Sequence, residues 1–482
     1  LNYSSVRFVL SRILQICSAL FLLPIIVALF YGETVPALKS FGVVAAVIFL
    51  TASLTSLHRP VKLRLRASEG MVITFLTWVL ISAASACAFM LAGEIPGFVE
   101  AFFESASGFT TTGSTIIQDV ESVSHFVLFW RSFTHFVGGM GVLVFALIIS
   151  SGSADSVNIM KAEMPGPSFG KLTARLRTTA LALYAIYFVM TLVTIFLLYL
   201  GKMPLFDAII HGLGAAGTGG FSSKNASIGY YNSSYINWVL TIAMLLFGVN
   251  FQIYFVSLTR GIRQALKSEE LRWYLGIYLT VSLLVFLNNL RLGVSPAFSF
   301  EHSFFTVSSL MSTTGYAMVD FTLWPLVSQL LLLLVMMIGG SAGSTAGGLK
   351  VSRFAVYIKS MREQINKTRE PRHVWSVRMD GEILSDAAKH SVLRYLCIYL
   401  MFLVVGTLLV SFDSSDLMTS FSAAVTALNN VGPGLGAAGP ASNFHQFNDF
   451  TKIVLSFLMI AGRLELLPVL LFFSPKSWKA TS

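Results

Sequence analysis

The stretch GLGAAGTGGF, residues 212–221, decides how the whole chain is read. Its first six residues satisfy G-x-G-x-x-G, the dinucleotide-binding fingerprint, and the hexapeptide GLGAAG returns at 434–439. That fingerprint needs a preceding strand, a following helix and an acidic residue about 20 positions on. Before residue 212 stands the short apolar run DAIIH, and after the hexapeptide come Thr218-Gly219-Gly220-Phe221. Neither flank is what a phosphate cradle requires, so the glycines call for another role.

The solvent of the chain narrows that role. Of 482 residues, 55% are hydrophobic and 12% charged, against about 25% charged in a soluble globular chain. Apolar runs at 13–31, 40–57, 71–93, 136–150, 179–200, 236–258, 273–290, 323–338, 392–412 and 453–473 are each long or nearly long enough to cross a bilayer, which takes about 20 residues. The composition predicts an all-α polytopic membrane protein. Residues 13–31 follow Arg7 and Arg12 but lack a small-x-small cleavage site and lead straight into a second run, which favours a first span over a signal peptide. With the N-terminus inside and the loops alternating, 26 of the 33 basic residues fall on one side, as the positive-inside rule requires. The net charge of +10 is therefore a topology signal, and no nucleic-acid partner is expected. Both termini are expected on the cytoplasmic side. The opposite loops are acidic and should concentrate cations.

Read beside the other external loops, 207–221 becomes one of four. EAFFESASGFTTTGST (100–115), DAIIHGLGAAGTGGF (207–221), HSFFTVSSLMSTTGYA (302–317) and TSFSAAVTALNNVGPGL (419–435) each run a short apolar segment into a Gly-rich turn between two spans. Anchored on Gly113, Gly220, Gly315 and Gly432, they carry Phe102, Ile209, Phe304 and Phe421 eleven residues earlier. Six residues earlier stand Ser107, Gly214, Ser309 and Thr426. The two residues before each anchor are Thr111-Thr112, Thr218-Gly219, Thr313-Thr314 and Asn430-Val431. Gly219 and Gly434 stand as rival anchors in their own loops. Segments this short predict re-entrant half-helices, and non-helical backbone at membrane depth survives only in protein or along a wet cavity. Four such turns around one axis would offer rings of carbonyl oxygens able to replace the hydration shell of an ion the size of K⁺. The two GLGAAG copies fall before one anchor and after another, so their identity is coincidental.

Two further features lie toward the basic side. MIGGSAGSTAGGLKVSR (337–353) interrupts an otherwise continuous helical run; Gly343 and Gly348 have Walker spacing, but Leu349 stands where the lysine belongs and no strand precedes it. Glycines cost about 1 kcal/mol each in a helix interior, so Gly339, Gly340, Ser341, Gly343, Ser344, Thr345, Gly347 and Gly348 predict an unwound segment across the inner cavity. Arg463 sits inside the last apolar run, where an arginine costs ~2.5–3.5 kcal/mol to insert and marks a functional position. Glu465 is too close along the helix to pair with it. Arg131, His135 and Lys452 read as interfacial anchors or packing groups, and His211 as a satisfied core histidine. The hydrophilic stretch 352–391 carries eight bases and five acids and reads as a docking surface or a solvated linker near the headgroups. No residue pattern suggests covalent chemistry, so an enzyme is not expected.

Over nearly its whole length the chain resembles the Trk/Ktr/HKT superfamily of K⁺ transporters, most closely its bacterial TrkH branch. The resemblance rests on TTTGS, GTGGF, STTGY and NNVGPG, on GGSAGSTAGGLK (339–350) and on Arg463. It implies four M1–P–M2 (K⁺-channel-like) repeats in pseudo-fourfold arrangement plus two extra N-terminal helices. The units would be 1–66 for the extra pair, then 67–152, 153–263, 264–388 and 389–482. By resemblance, Thr111, Thr112, Gly113, Thr218, Gly219, Gly220, Thr313, Thr314, Gly315, Asn430, Val431 and Gly432 form the K⁺ selectivity filter. No turn carries TVGYG, so the filter is degenerate and is expected to pass Rb⁺ and, more weakly, Na⁺. The Gly-rich segment would be the gating loop and Arg463 the pore charge that opposes cations. A cytosolic RCK-type nucleotide-binding subunit (TrkA type), a homodimer and a bacterial inner-membrane location are implied, with K⁺ as substrate and no cofactor. An inverted-repeat secondary cation transporter is the alternative. It suits the Gly break, but each unit here starts and ends inside, which relates the repeats by an axis along the membrane normal.

Overall fold

A computed structural model of the chain describes residues 2–58, 60, 65–141, 176–414 and 416–478. Its helices repeat in a fixed order. Four long M1 helices, Ala67–Ala92, Leu176–Leu200, Glu269–Asn289 and Asp386–Val410, are each followed by a short P helix. The P helices are Phe98–Phe109, Leu205–Gly217, Pro296–Met311 and Leu417–Asn429, and M2 helices follow at His125–Gly139, Ser234–Phe247, Leu326–Ile338 and Asp449–Arg463. The M1 helices, 21–26 residues long, reach roughly 31–39 Å, enough for a hydrocarbon core of ~30 Å. Six helices among the described residues are long and apolar enough to cross a membrane, or up to eight if each bent pair counts as one. The chain is a multi-pass, mostly helical membrane protein, and its strands among the described residues are one hairpin, Arg378–Met379 with Glu382–Ile383.

The second and fourth M2 helices depart from the expected continuous spans, whereas the third breaks at the Gly-rich segment as expected; all four are short. At 13–15 residues they reach only about 20–22 Å. The run 236–258 is two helices, Ser234–Phe247 and Phe251–Arg260, bent by 86°, and 453–473 is Asp449–Arg463 and Leu467–Phe473, bent by 118°. Local chemistry accounts for both breaks. Asn250 accepts from the Gln252 N–H at 2.9 Å and caps a new helix. Glu465 and Leu466 adopt positive φ (55° and 66°), and Pro468 opens the next helix, where its missing N–H is harmless. The third M2 stops at Gly339 (φ 72°) and resumes as Val351–Arg369. The first ends at Gly139. The rest of the 136–150 run, the expected boundary at 152/153 and the basic residues 59, 62, 64, 161, 171, 175 and 479 lie outside the described residues.

Packing closes the units into a ring. Each M2 helix lies against the P helix of the next unit: first on second, second on third, third on fourth, and fourth back on first. The N-terminal helices Tyr3–Leu20, Leu23–Tyr31 and Val43–Ser56 pack beside the first unit. The Glu33 carboxylate accepts from the N–H groups of His125 and Phe126 at 3.3 Å each, and from His125 Nδ1 at 2.9 Å. A carboxylate there offsets the positive end of the first M2 helix. The hydrophilic stretch 352–391 is not a solvated linker. Ala355, Val356 and Tyr357 on the helix after the break bury against Val377, Met379, Leu384 and Val392, a small core of its own.

Candidate functional site

The four P helices end in the same cap. The N–H groups of Thr112, Gly219, Thr314 and Val431 donate to the carbonyls of Ser107, Gly214, Ser309 and Thr426 at 2.9, 2.9, 2.8 and 3.0 Å. The residues just before them, Thr111, Thr218, Thr313 and Asn430, take φ of 57°, 54°, 56° and 56°. This is a Schellman motif repeated four times, and the small residues six before each anchor supply its accepting carbonyls. Three threonines in the left-handed region were not foreseen from sequence; each costs roughly 1–2 kcal/mol, and Asn430 tolerates it better. After one intervening residue the chain turns left-handed again at Gly113, Gly220, Gly315 and Gly432 (φ 81°, 78°, 83° and 101°). Gly219 and Gly434 are not left-handed, so equivalence falls on Gly220 and Gly432.

These glycines also interlock. A Cβ on Gly113 would run into the carbonyl oxygen of Gly219, one on Gly220 into that of Thr314, and one on Gly315 into that of Val431. A Cβ on Gly432 would lie 2.7 Å from the carbonyl oxygen of Thr112. Each anchor therefore touches the carbonyl preceding the next anchor, and the circuit closes after four steps. All twelve sequence-predicted turn residues are brought together, and the seven with non-glycine side chains are fully buried. Ser114 Oγ donates to the Gly432 carbonyl at 3.0 Å and Asn430 Nδ2 to Thr112 Oγ1 at 3.1 Å, tying the fourth turn to the first. An outer cavity of about 250 Å³ is lined by all four anchor glycines.

The Gly-rich segment sits directly against the ring on its other side. The Gly347 N–H donates to Thr313 Oγ1 at 2.7 Å, and a Cβ on Gly347 would strike the Asn429 carbonyl. The loop leaves its helix at Gly339 and returns beside it at Gly348 (φ 81°), the two glycines too close for a side chain on either. The break in the second M2 holds it: Ser341 N–H donates to Gly248 O at 2.9 Å, Phe251 N–H to Gly343 O at 3.1 Å, and Thr345 Oγ1 to Phe247 O at 3.2 Å. Ser344 Oγ closes the loop on Ser341 O at 2.6 Å, and Gly340 O accepts from the Val351 N–H at 2.9 Å. The near-Walker lysine, Lys350, folds back on the Ala346 carbonyl. A second cavity of about 620 Å³ lies along the loop, lined among others by Gly139, Asn250, Ser344, Gly347, Lys350 and Arg463.

Arg463 is the last residue of its helix rather than mid-span. Its Nη1 donates to Thr345 O at 2.7 Å, and its Nη2 to Gly138 O and Gly139 O, both at 2.6 Å. One guanidinium thus joins the fourth unit, the loop and the C-terminal end of the first M2. Sequence reasoning missed Gly138 and Gly139 as its acceptors; their pairing with other M2 glycines at the same depth was the available signal. Arg131 and His135 are not interfacial, being 2% and 0% exposed behind the first two turns, and Lys452 pairs with Glu100 at 2.8 Å. His211 donates through Nδ1 to Asp207 O at 2.7 Å and accepts at Nε2 from Ser222 Oγ at 2.8 Å. The hexapeptide 212–217 forms the C-terminal end of the second P helix, with a helix and no strand before it.

Comparison with known proteins places the chain in a family. Residues 39–480 match the TrkH family, described as cation transport protein. The chain is 36% identical over 466 residues to the Trk system potassium uptake protein TrkG of Escherichia coli, covering 95% of each. It is 32% identical over 492 residues to the Trk system potassium uptake protein TrkH of Salmonella typhimurium, covering 99% of this chain and 100% of that one. The crystal structure of the potassium transporter TrkH from Vibrio parahaemolyticus superposes with a TM-score of 0.89 at 31% identity, over 99% of this chain and 100% of that one. These relatives are transport proteins rather than enzymes. Alike in sequence from end to end and in the course of its backbone, the chain belongs to the TrkH family of cation transport proteins.

Proposed function

We propose that this chain is the pore-forming subunit of a Trk-type potassium uptake system, with the four interlocked turns as its selectivity filter. The observation that carries the reading is the closed circuit of anchor glycines, each set against the carbonyl that precedes the next. Two left-handed residues flank one intervening residue in every turn, which gives the four turns one backbone course and lets each present its carbonyls alike, as a ring of carbonyl ligands to a cation requires. The four P helices end at these turns, so their partial negative charges converge there and favour a cation. No side-chain carboxylate lines the outer cavity among the described residues. Coordination then falls to backbone and threonine oxygens, which suits a monovalent ion that must also leave. K⁺ is the proposed substrate, with Rb⁺ accepted and Na⁺ less so.

The Gly-rich loop is proposed as the gate and Arg463 as the charge that holds it shut. With Gly347 bonded to Thr313 and Arg463 to Thr345, the exit from the ring is closed on two sides, and conduction requires the loop to swing away. The packed segment 351–392 continues directly from the loop, a direct mechanical route from a cytosolic nucleotide-binding subunit. That subunit, a homodimer and a bacterial inner-membrane location with both termini cytoplasmic complete the proposal. The test is K⁺ flux into proteoliposomes, paired with rescue of a K⁺-uptake-deficient bacterium at sub-millimolar K⁺. Folded, membrane-inserted protein that neither conducts K⁺ nor rescues growth beside a matched partner subunit would refute it.

A further inference from the structure

The four turns agree in backbone, yet the groups behind them differ, most of all at the junction of the first two. Nine residues before the anchors stand Glu104, His211, Thr306 and Ala423; six residues into the M2 helices stand Arg131, Leu240, Leu332 and Leu455. The first unit alone places charge at both positions. Arg131 Nε meets Glu104 Oε1 at 2.8 Å, with the two side chains 2% and 0% exposed. The same carboxylate accepts from Thr115 Oγ1 at 2.9 and 3.1 Å and from the Ile116 N–H at 2.9 Å. Arg131 Nη2 adds a bond to Thr115 Oγ1 at 3.1 Å. Thr115 and Ile116 belong to the segment leaving the first turn.

The other face of the guanidinium serves the second turn. It lies 4.0 Å from the ring centroid of Phe221, the residue that follows Gly220. Phe221 stacks on His135 at 4.3 Å and donates its N–H to His135 Nε2 at 3.3 Å, while His135 Nδ1 donates to Gly108 O at 2.8 Å. Arg131 and His135, one helical turn apart, therefore clamp both turns from a single helix. Burying two charges costs several kcal/mol per ion before their attraction is counted, and the other units fill the equivalent space with neutral side chains. Filling space does not require the pair.

We propose that Glu104 and Arg131 are positioning residues that fix the spacing between the first and second turns, and with it the preference for K⁺ over the smaller Na⁺. A turn free to close inward by a few tenths of an ångström would coordinate Na⁺ as well. This rests on the ring being the ion path. The pair is neutral as a whole, so its joint removal changes geometry without changing net charge.

The experiment compares K⁺ and Na⁺ flux in proteoliposomes for wild type, for Glu104→Thr with Arg131→Leu, and for Phe221→Leu. The double substitution installs the residues of the third unit, which removes the unpaired charge that either single change would leave. Phe221→Leu keeps the ion pair and removes only the ring that couples it to the second turn. The expected result is a fall of about threefold or more in the K⁺/Na⁺ ratio, about 0.65 kcal/mol, with K⁺ flux retained. A smaller change in both variants overturns the proposal, and if the double variant fails to insert, Phe221→Leu alone decides. Absence of K⁺ flux in wild type would instead remove the reading of the ring as the path.

Discussion

Replacing Arg463 by alanine is expected to open the inner exit, and the bonds of its guanidinium set the scale. Of the three carbonyls described above, Gly138 O and Gly139 O belong to another M2 helix and Thr345 O to the loop. The Thr345 bond would therefore break if the loop swings away as proposed. A hydrogen bond to a charged group contributes about 1.5–3 kcal/mol, so its loss shifts the closed-to-open ratio roughly 10- to 150-fold. A second effect adds to it. A K⁺ passing about 4 Å from a fixed positive charge meets a barrier of about 4 kcal/mol at an effective dielectric of 20.

Two substitutions separate these effects. Arg463→Lys keeps the charge but loses the fork that reaches the loop and the first M2 together, so it should raise flux less than Arg463→Ala. Arg463→Gln keeps much of the length without the charge and should approach the alanine variant. The assay is Rb⁺ uptake and efflux in proteoliposomes without any partner subunit, normalised to inserted protein. Unchanged flux in both directions for Arg463→Ala would refute the assignment. Equal increases for lysine and alanine would assign the whole effect to the lost bond and remove the electrostatic barrier.

Gly315→Ala forces a side chain at φ 83° against the Val431 carbonyl and should abolish K⁺ preference in flux assays. Gly276→Ala, with open space around it, should leave preference unchanged and is the control. Gly347→Ala pushes the loop off Asn429 and should raise basal flux several-fold, a result that unaltered basal flux would contradict. Asp416 caps the fourth P helix, accepting from the Thr419 N–H at 2.9 Å and the Met418 N–H at 3.2 Å. Its loss to alanine should cost about 1 kcal/mol, visible as a lower melting temperature in detergent. The Thr419 hydroxyl and N–H hold the Asp416 carboxyl below the usual carboxylate range. Its contribution is therefore complete above about pH 4 and fades as pH falls through the lowered value, so wild type and Asp416→Ala should converge in stability at acid pH.

What the sequence disclosed and what it hid follow from where the information resides. The M1 helices are apolar along lengths that leave few alternatives, and the four turns betray themselves by equal spacing of small residue and glycine, because backbone geometry sets those positions. The breaks in M2 were opaque at 236–258 and 453–473. A lone Gly248, or a Gly462 beside an arginine, also occurs in unbroken membrane helices, and the cap at Asn250 and the left-handed Glu465 and Leu466 that turn the chain carry no sequence signal of their own. The Glu104–Arg131 pair was hidden for a different reason: its partners come from separate helices 27 residues apart, and nothing local marks them.

The contrast between backbone and side chain bears on how such a pore can be tuned. The ring uses each unit in the same way, so a substitution at any anchor glycine should disturb ion preference in a similar manner. The proposed gate draws on each unit differently. The first lends carbonyls at Gly138 and Gly139, the second the broken end that binds the loop at Gly248 and Phe251, the third the loop itself, and the fourth Arg463. If that gate is closed by four dissimilar contributions, weakening any one of them is expected to open it while the carbonyl ring stays intact. On the proposed reading, selectivity and gating should be separable in mutation, and a variant that loses both at once is expected to act where the loop meets the ring, at Thr313, whose hydroxyl accepts from the loop, or at Asn429, against whose carbonyl Gly347 packs.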